Sequence, residues 1–294
     1  MVHKKNLLAG VSIAVSMAMF GTLSVFVRNI PLSSGALALC RAVMAAVLMG
    51  VVLLVRRQTF SLRELGKDLW LLLLSGFVLG VNWILFFESY RYTTVSIATL
   101  SYYAAPAIIT AVCPIIFHEK MTLKQLLCFL GSTCGVVLII GVSGFSGAQD
   151  LTGIMFGLSA AVMYATVVVL NKMMRRVGGL QRTFLQMVVA AITLVPYVFA
   201  TGGVQFALLD VSGWINLLIV GVVLTGVTYC MYFSSLPHLQ GQHAAILSYL
   251  DPLVAVIVSV TLLNEPITAL QILGGILVLG FSLFNELKTK KDGV

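Results

Sequence analysis

Charged residues are scarce in this 294-residue chain: 10% of its positions are Asp, Glu, Lys or Arg, while 60% are apolar. A soluble domain carries about 25% charged residues, so this composition is typical of a protein that lies in lipid. Stretches rich in Gly, Ser and Pro and long runs of like charge are also missing. Their absence excludes a disordered linker and a nucleic-acid-binding tail.

The residue groupings that carry metal, redox or nucleotide chemistry are missing too. The five cysteines lie inside apolar stretches and form no Cys-x-x-Cys motif, so we expect neither a disulfide framework nor a zinc site. The four histidines stand toward the ends of apolar runs, and the chain has no Gly-x4-Gly-Lys-[Ser/Thr] phosphate loop. We therefore expect no cofactor, no ATP-driven pumping by this chain alone and no intramembrane enzyme.

Long apolar runs, separated by short turns, dominate the sequence. About 20 apolar residues cross the ~30 Å core of a bilayer, and ten runs of about this length predict ten membrane-spanning helices. The connections between them are too short for an extramembrane domain. The predicted spans are residues 7–27, 35–55, 69–90, 95–117, 124–144, 152–171, 183–201, 214–234, 243–263 and 268–285.

The distribution of Lys and Arg predicts the orientation of these spans. With the N-terminus in the cytoplasm, fifteen of the 18 basic residues lie on the cytoplasmic side; Arg28 and Arg91 lie outside, and Arg41 lies within a span. Basic residues beside spans are retained on the cytoplasmic side, so we expect a multi-pass protein of the cytoplasmic membrane with both termini inside. The net charge of +8 reflects this bias and does not indicate a nucleic-acid partner.

The sequence repeats itself at a spacing of 146 residues. Each half contains five predicted spans, an odd number, so the second half enters the membrane from the opposite side. Residues 1–146 and 147–294 are therefore predicted to form two inverted five-helix repeats, an arrangement typical of secondary transporters. The identical pairs are Gly80/Gly226, Val81/Val227, Phe87/Phe233, Ser89/Ser235, Ala98/Ala244, Tyr103/Tyr249, Pro106/Pro252, Glu119/Glu265, Thr122/Thr268 and Gln125/Gln271.

Both halves carry Tyr-x-x-Pro followed by Pro-x12-Glu-x2-Thr-x2-Gln. With the helix pattern, which covers essentially the whole chain, these motifs resemble the EamA-like branch of the drug/metabolite transporter superfamily. The resemblance implies an all-α integral membrane fold of ten transmembrane helices in two inverted five-helix repeats. It also implies alternating-access transport of a small organic metabolite, such as an amino acid, an amine or a related solute, often in the direction of export. The substrate stays open, because members of that group carry many different solutes.

Asp251 is the strongest candidate for a substrate-binding or coupling residue. It lies about eight residues into its predicted span, near mid-membrane, where a carboxylate is costly unless it faces a cavity or a partner. Ala105 stands opposite it in the first half, which makes the acid an asymmetric feature. Ser248 lies on the same small and polar face, and Pro252 leaves backbone carbonyl groups free beside it. The competing interpretation is a hydrogen bond that serves packing alone.

Two further charged residues are candidates. Arg41 lies about one third of the way in from the outer face, too deep for easy contact with water. It would bind a substrate carboxylate, neutralise Asp251 or Glu88, or serve a structural pair. Glu88 lies near the outer end of its span, three residues before Arg91, so a proton-coupling role competes with a rim salt bridge.

Aromatic and amide side chains complete the candidate site. Tyr102, Tyr103 and Tyr249 would supply an aromatic wall which, beside a carboxylate, suits an organic cation, and packing is the competing interpretation. Asn82 competes with Trp83 for the inward face of the third span.

Two acids of the repeated motif suggest a structural role. Glu119 and Glu265 each precede a threonine by three residues, and Thr122 and Thr268 suit the first position of the next helix. We therefore expect both acids to support helix caps.

Together these residues predict a secondary active transporter that cycles between outward-open and inward-open states. If transport is coupled to protons, protonation of Asp251 or Glu88 would exchange with substrate binding. A passive channel or facilitator is the alternative, although the chain offers single acids where a channel would need charge rings. The expected partners are a small-molecule substrate, membrane lipid and protons, without nucleic acid, in a monomer or homodimer.

Overall fold

The computed structural model describes residues 2–57, 66, 68–117, 122–143, 148–174, 177–238, 247–248 and 250–286. Within these ranges every regular element is a helix, so the all-α prediction is confirmed. In chain order the main helices are α1 (Val2–Gly21), α2 (Leu23–Val27), α3 (Ser34–Val55), α4 (Asp68–Tyr92), α5 (Val95–Tyr102), α6 (Ala105–Phe117), α7 (Leu123–Ser143), α8 (Ala148–Met173), α9 (Gly179–Ala200), α10 (Val211–Leu218), a π-helix (Ile219–Val227), α11 (Thr228–Ser235), α12 (Leu250–Thr261) and α13 (Ala269–Glu286).

Helical stretches of membrane-crossing length match seven of the ten predicted spans. Within the described ranges, three shorter apolar helices lie where spans five, nine and ten are predicted: Leu126–Gly135, Leu250–Thr261 and Ala269–Phe281. The count of ten therefore stays a prediction. The seven long stretches are Leu7–Val27, Ser34–Val55, Asp68–Tyr92, Val95–Phe117, Gln149–Met173, Gly179–Ala200 and Val211–Ser235.

Polar side chains lie inside the bundle and large apolar side chains lie on its surface. Ser16, Ser75 and Thr228 have no exposed surface, whereas Leu54 and Val211 are each 78% exposed. This distribution suits a lipid environment, because hydrocarbon offers no hydrogen-bond partner to a polar group at the surface.

Side-chain caps begin several helices where the sequence provides a suitable residue. The Thr94 hydroxyl accepts a hydrogen bond from the Ile97 amide at 3.3 Å at the start of α5. At α13, Thr268 and Gln271 form a reciprocal capping pair, with backbone-to-side-chain distances of 2.9 and 3.2 Å. The predicted cap at Thr268 is thus confirmed, but its partner is Gln271 and not Glu265.

The fourth predicted span is interrupted near its middle. Helix α5 ends at Tyr102 and α6 begins at Ala105, so Tyr103 and Ala104 form a short break. Pro106 has no backbone N–H to continue the hydrogen-bond ladder across this point. The Tyr103 and Ala104 amides donate to the Thr99 and Ser101 carbonyl oxygens at 2.9 and 3.2 Å, so the helical hydrogen bonds are rearranged at the break. Irregular backbone at membrane depth is tolerated only inside protein or beside a water-filled space.

The eighth predicted span is not a regular α-helix either. Residues Ile219–Val227 form a π-helix between α10 and α11. The Thr225 and Thr228 hydroxyls donate to carbonyl oxygens five residues earlier, at 2.7 and 3.0 Å. Such segments are rare and are frequent at functional sites.

Helix packing follows the same scheme in the two halves. Helix α3 packs on the π-helix as α9 packs on α4, and α12 packs on α1 as α5 packs on α8. Equivalent helices also pack directly on each other, α3 on α9 and α7 on α13. Each of these helix pairs therefore has a counterpart when the first and second halves are exchanged.

The directly packed equivalent helices run antiparallel. A Cβ atom at Gly35, near the start of α3, would lie 2.6 Å from the Tyr197 ring, near the end of α9. A Cβ atom at Gly50, near the end of α3, would lie 3.2 Å from the Phe184 ring, near the start of α9.

The contact between α7 and α13 depends on Gly135. A Cβ atom there would lie 2.6 Å from the Gly274 carbonyl oxygen and 2.9 Å from the Val278 backbone nitrogen. We expect Gly135→Ala to lower the melting temperature of the purified protein by several degrees, because overpacking against backbone costs about 1–3 kcal/mol. Gly280→Ala is the control, since nothing lies within 4 Å of its added Cβ. Equal melting temperatures for the two variants in detergent would contradict this packing.

Candidate functional site

Asp251 and Tyr103 meet between α12 and the break that follows α5. The Tyr103 hydroxyl donates a hydrogen bond to Asp251 Oδ2 at 2.7 Å. Helix α1 approaches the same point, because a Cβ atom at Gly21 would lie 2.6 Å from the Asp251 carbonyl oxygen. Three helices from both halves of the chain therefore converge on this acid.

Aromatic rings form a wall beside this pair. The Tyr102 ring lies 4.4 Å from Phe86, 5.5 Å from Tyr164 and 6.1 Å from Tyr103, measured between ring centroids. The structure thus brings Tyr102 and Tyr103 together with Asp251, and it adds two rings, Phe86 and Tyr164, that the sequence did not single out.

Asp251, Tyr102 and Tyr103 are each partly buried, unlike the fully buried side chains of the core. A carboxylate at membrane depth is tolerated where it faces a cavity or a partner, and the Tyr103 hydroxyl is such a partner.

Arg41 occupies the neighbouring part of this site, and its side chain is almost entirely buried, with 4% exposure. Its Nε donates to the Thr225 hydroxyl at 2.7 Å. Its guanidinium carbon lies 4.4 Å from the centre of the Trp83 ring and 5.5 Å from that of Phe87, within the range of cation–π attraction. The π-helix thus positions the hydroxyl that holds this cation.

Arg41 and Asp251 share the site without forming a pair. Arg41 is close enough to Asp251 and Tyr229 to interact with them electrostatically. Within the described part of the chain, however, no ion pair within 4 Å joins Arg41 to Asp251. Hereafter the central site means Arg41, Tyr102, Tyr103, Thr225 and Asp251.

Asn82 and Trp83 point to different neighbours, which answers the question left by the sequence. Trp83 faces Arg41. The Asn82 side-chain amide donates to the Ala160 carbonyl oxygen in α8 at 2.7 Å, and it also lies within hydrogen-bonding reach of Tyr102. Trp83 therefore contributes to the central site, whereas Asn82 links its wall to α8.

The predicted residues just before Asp251 are only partly described. Ser248 is partly buried and lies within hydrogen-bonding reach of Tyr232. Tyr249 lies outside the described residues. In the described ranges no group of three or more His, Cys, Asp or Glu side chains is placed to hold a metal ion.

Glu88 lies at the end of the bundle where α4 ends, away from the tyrosine that binds Asp251. It accepts a hydrogen bond from the Ser34 hydroxyl at 2.5 Å, and its carboxylate lies 3.5 Å from Arg91. The structure therefore gives Glu88 a link between α3 and α4 and does not place it in the central site.

The same end of the bundle is tied together by Glu265, a role that the sequence did not reveal. Its carboxylate lies 2.6 Å from Arg28, which follows α2, and accepts a hydrogen bond from the Val95 amide at 2.7 Å. The Ser259 hydroxyl also donates to it. We call this end of the bundle the Arg28 end. The repeated Glu-x2-Thr-x2-Gln motif did mark Glu265, but its partners are distant in sequence.

A cavity of about 870 Å³ lies at the Arg28 end. Arg28, Arg91, Asp150 and Glu265 contribute its charged lining. Phe87 also lines this cavity, and the centre of its ring lies 5.5 Å from the Arg41 guanidinium carbon. Phe87 is therefore in contact with both the cavity and the central site.

Comparisons with known proteins agree with this architecture. The model of the EamA-like transporter family matches the chain twice, at residues 7–141 and 151–285. The chain is 29% identical over 260 residues to the uncharacterized transporter YxxF of Bacillus subtilis, covering 86% of this chain and 81% of the relative. An uncharacterized transporter of Archaeoglobus fulgidus is 29% identical over 276 residues, covering 91% of this chain and 92% of the relative.

One solved crystal structure supports the fold. It aligns with a TM-score of 0.66 over 95% of this chain and 98% of its own, at 14% sequence identity. At this identity the likeness concerns the fold alone. The apolar helices and the relatives identify an integral multi-pass membrane protein. Because the two family matches cover nearly the whole length, this chain belongs to the EamA-like transporter family.

Proposed function

We propose that this protein is a secondary active transporter that moves a small organic metabolite across the cytoplasmic membrane by alternating access. The central site carries the proposal, because it brings an acid and a cation together among the helices, and neither forms an ion pair with a described residue. The break between α5 and α6 lies beside it, and interrupted helices at mid-membrane are typical of secondary-transporter sites. Membership of the EamA-like transporter family supports the same class.

Alternating access requires two halves that can move against each other, and the proposed halves are inverted repeats. The antiparallel packing of α3 on α9 supports this arrangement. So does the central site itself, which takes Arg41 and Tyr103 from the first half and Thr225 and Asp251 from the second. Rocking of one half against the other would open the site at either end.

The Arg28 end is the proposed outer gate. The excess of basic residues at the other end supports an outside position for Arg28. At this end Glu265 connects the end of α2 to the start of α5, and Phe87 contacts both the cavity and Arg41. These contacts would close the central site toward the outside.

Asp251 is the proposed proton carrier, in preference to Glu88. Asp251 lies at the centre of the bundle and has one carboxylate oxygen bound by Tyr103. Glu88 is held at the Arg28 end by Ser34 and Arg91, where a rim interaction accounts for it. Competition of a proton and the substrate for Asp251 would couple their movements in exchange.

A passive facilitator is the second candidate, and the same assay separates the two. A coupled carrier gives saturable counterflow and accumulates substrate when a pH gradient is imposed, whereas a facilitator gives counterflow without accumulation. A channel gives conductance and no counterflow.

We expect Asp251→Asn to abolish accumulation driven by a pH gradient in proteoliposomes, since the amide cannot take up a proton. Counterflow would fall by about tenfold or more, because a lost interaction with a charged group costs about 1.5–3 kcal/mol. The substrate for the assay would come from a thermal-shift screen of metabolites, in which a bound ligand raises the melting temperature.

Asp150→Asn provides the matched control. Asp150 is a carboxylate at the Arg28 end that accepts a hydrogen bond from the Thr93 hydroxyl at 2.8 Å. The control variant should keep the pH-driven accumulation. If Asp251→Asn accumulates substrate as well as the parent protein does, Asp251 has no role in proton coupling. If Glu88→Gln alone loses pH-driven accumulation, Glu88 is the coupling residue.

We expect Glu265→Gln to open the proposed outer gate more often. The test places a cysteine at Phe86, whose ring packs on Tyr102 of the central site, in a protein whose five native cysteines are replaced. Modification by a membrane-impermeant thiol reagent should be about tenfold faster with Glu265→Gln. The substitution breaks the Arg28–Glu265 bridge, so the state in which the outer gate is open becomes more populated.

Arg91→Gln is the control for the gate, since Arg91 lines the same cavity but is exposed and pairs with Glu88, at 3.5 Å, and not with Glu265. Its effect on the modification rate should be less than twofold. Equal rates in Glu265→Gln and the parent protein would contradict a gating role for the bridge.

A further inference from the structure

We infer that the central site recognises a small zwitterion, with its carboxylate on Arg41, its ammonium group on Asp251 and its apolar part against the aromatic wall. The inference rests on the proposed transport function and names the chemical class of the substrate. It follows from four features of the two charged residues and their surroundings.

The first feature is the unused hydrogen-bonding capacity of Arg41. Only Nε of its guanidinium has a hydrogen-bond acceptor among the described residues, the Thr225 hydroxyl. The terminal nitrogens form the planar fork that matches a carboxylate in two parallel hydrogen bonds. Trp83 and Phe87 hold the guanidinium from the side without satisfying these donors.

The second feature is the unused capacity of Asp251. Tyr103 binds Oδ2, and Oδ1 has no donor in the described part of the chain. Asp251 is only partly buried, so the residue keeps some accessible surface. An ammonium group supplies three donors and would bind the free oxygen with a charge-assisted hydrogen bond.

The third feature is that helix packing does not require either charge. A looser repeat at a spacing of 145 residues, which also sets Ala45 and Ala46 opposite Ala190 and Ala191, places Gln186 opposite Arg41. The Gln186 amide donates to Ser75 and Asn171 at 2.8 Å each. Ala105 stands opposite Asp251 and is buried without a charge. Equivalent helices therefore pack with neutral residues, and both charges lie where the repeat is broken.

The fourth feature is the separation of the two charges. They interact electrostatically but are not joined as an ion pair, so each remains only partly compensated. A buried charge without a partner is costly. A zwitterion compensates both charges at once, whereas an amine leaves Arg41 and a carboxylate leaves Asp251 without a counter-charge.

The surrounding rings indicate the remainder of the molecule. The Phe86 and Tyr102 rings pack against each other, with centroids 4.4 Å apart, and make this side of the site aromatic. Such a surface binds an apolar group by burial. The expected substrate is thus a zwitterion with an apolar body, which excludes sugars and multiply charged anions as preferred substrates.

The test measures binding of three matched probes to the purified protein by isothermal titration. The probes are L-leucine, which carries both charges, L-leucinamide, which keeps the ammonium, and 4-methylpentanoate, which keeps the carboxylate. We expect L-leucine to bind at least about tenfold more tightly than either analogue, as expected for one lost interaction between charged groups. 6-Aminohexanoate, with more widely separated charges, serves as a second zwitterion if the site is longer than an α-amino acid.

Crossed variants assign each charge to its partner. In Arg41→Gln the preference for L-leucine over L-leucinamide should disappear, while the preference over 4-methylpentanoate stays. In Asp251→Asn the opposite should hold. Arg182→Gln and Asp150→Asn are controls for charge, because Arg182 binds the Asn171 carbonyl oxygen and Asp150 binds Thr93, both outside the central site.

The outcomes separate this inference from the proposed function. If neither zwitterion binds more tightly than the single-charge analogues, or if both preferences survive in Arg41→Gln and Asp251→Asn, the zwitterion assignment is wrong. Saturable counterflow of another solute would then leave the carrier function intact. Conversely, zwitterion binding with the crossed pattern but without flux in proteoliposomes would support the site and overturn the transport proposal.

Discussion

The structure depends on one constraint, which is that polar groups inside a membrane must find hydrogen-bond partners without water. Hydrocarbon offers no hydrogen bonds, so each polar group at membrane depth needs a partner within the bundle or an enclosed wet space. The threonines of the π-helix meet this requirement by bonding to carbonyl groups of their own helix. In the central site, Oδ1 of Asp251 and the terminal nitrogens of Arg41 have no hydrogen-bond partner among the described residues, which is consistent with a site that receives a ligand.

The contrast between symmetric packing and asymmetric chemistry explains how a repeated fold acquires a specific site. Neighbouring helices correspond when the halves are exchanged, and Tyr103 belongs to the motif shared by both. Arg41 and Asp251 have neutral counterparts. The repeated sequence accounts for the helix packing that the two halves share. The two charges of the central site lie at positions where the halves differ.

Much of the scaffold was predictable because lipid imposes simple rules on composition. Apolar runs locate most helices within a few residues, and the Thr268 cap follows from a local motif. Asp251 and Arg41 were recognisable because a charge in an apolar run is rare. Their hydrogen-bond partners could not be predicted, because Arg41 binds Thr225 and Asp251 binds Tyr103 through contacts between helices that are distant in sequence.

Features that depend on contacts between distant helices could not be predicted from the sequence. Glu265 carries the spacing of a helix cap, yet it binds Arg28 and the Val95 amide, which are far away along the chain. The directions of Asn82 and Trp83 depend on which helices flank α4. The π-helix has no counterpart in α4, although Gly226 and Val227 repeat Gly80 and Val81.

The π-helix has a mechanical consequence for the residues after it. A segment with wider turns uses more residues per revolution than an α-helix of the same length. Rewinding it would therefore rotate every later side chain, Tyr229 and Phe233 among them, and would carry the Thr225 hydroxyl away from Arg41. A single change in helical winding would thus alter both the hydrogen bond between Arg41 and Thr225 and the positions of the side chains that follow the π-helix.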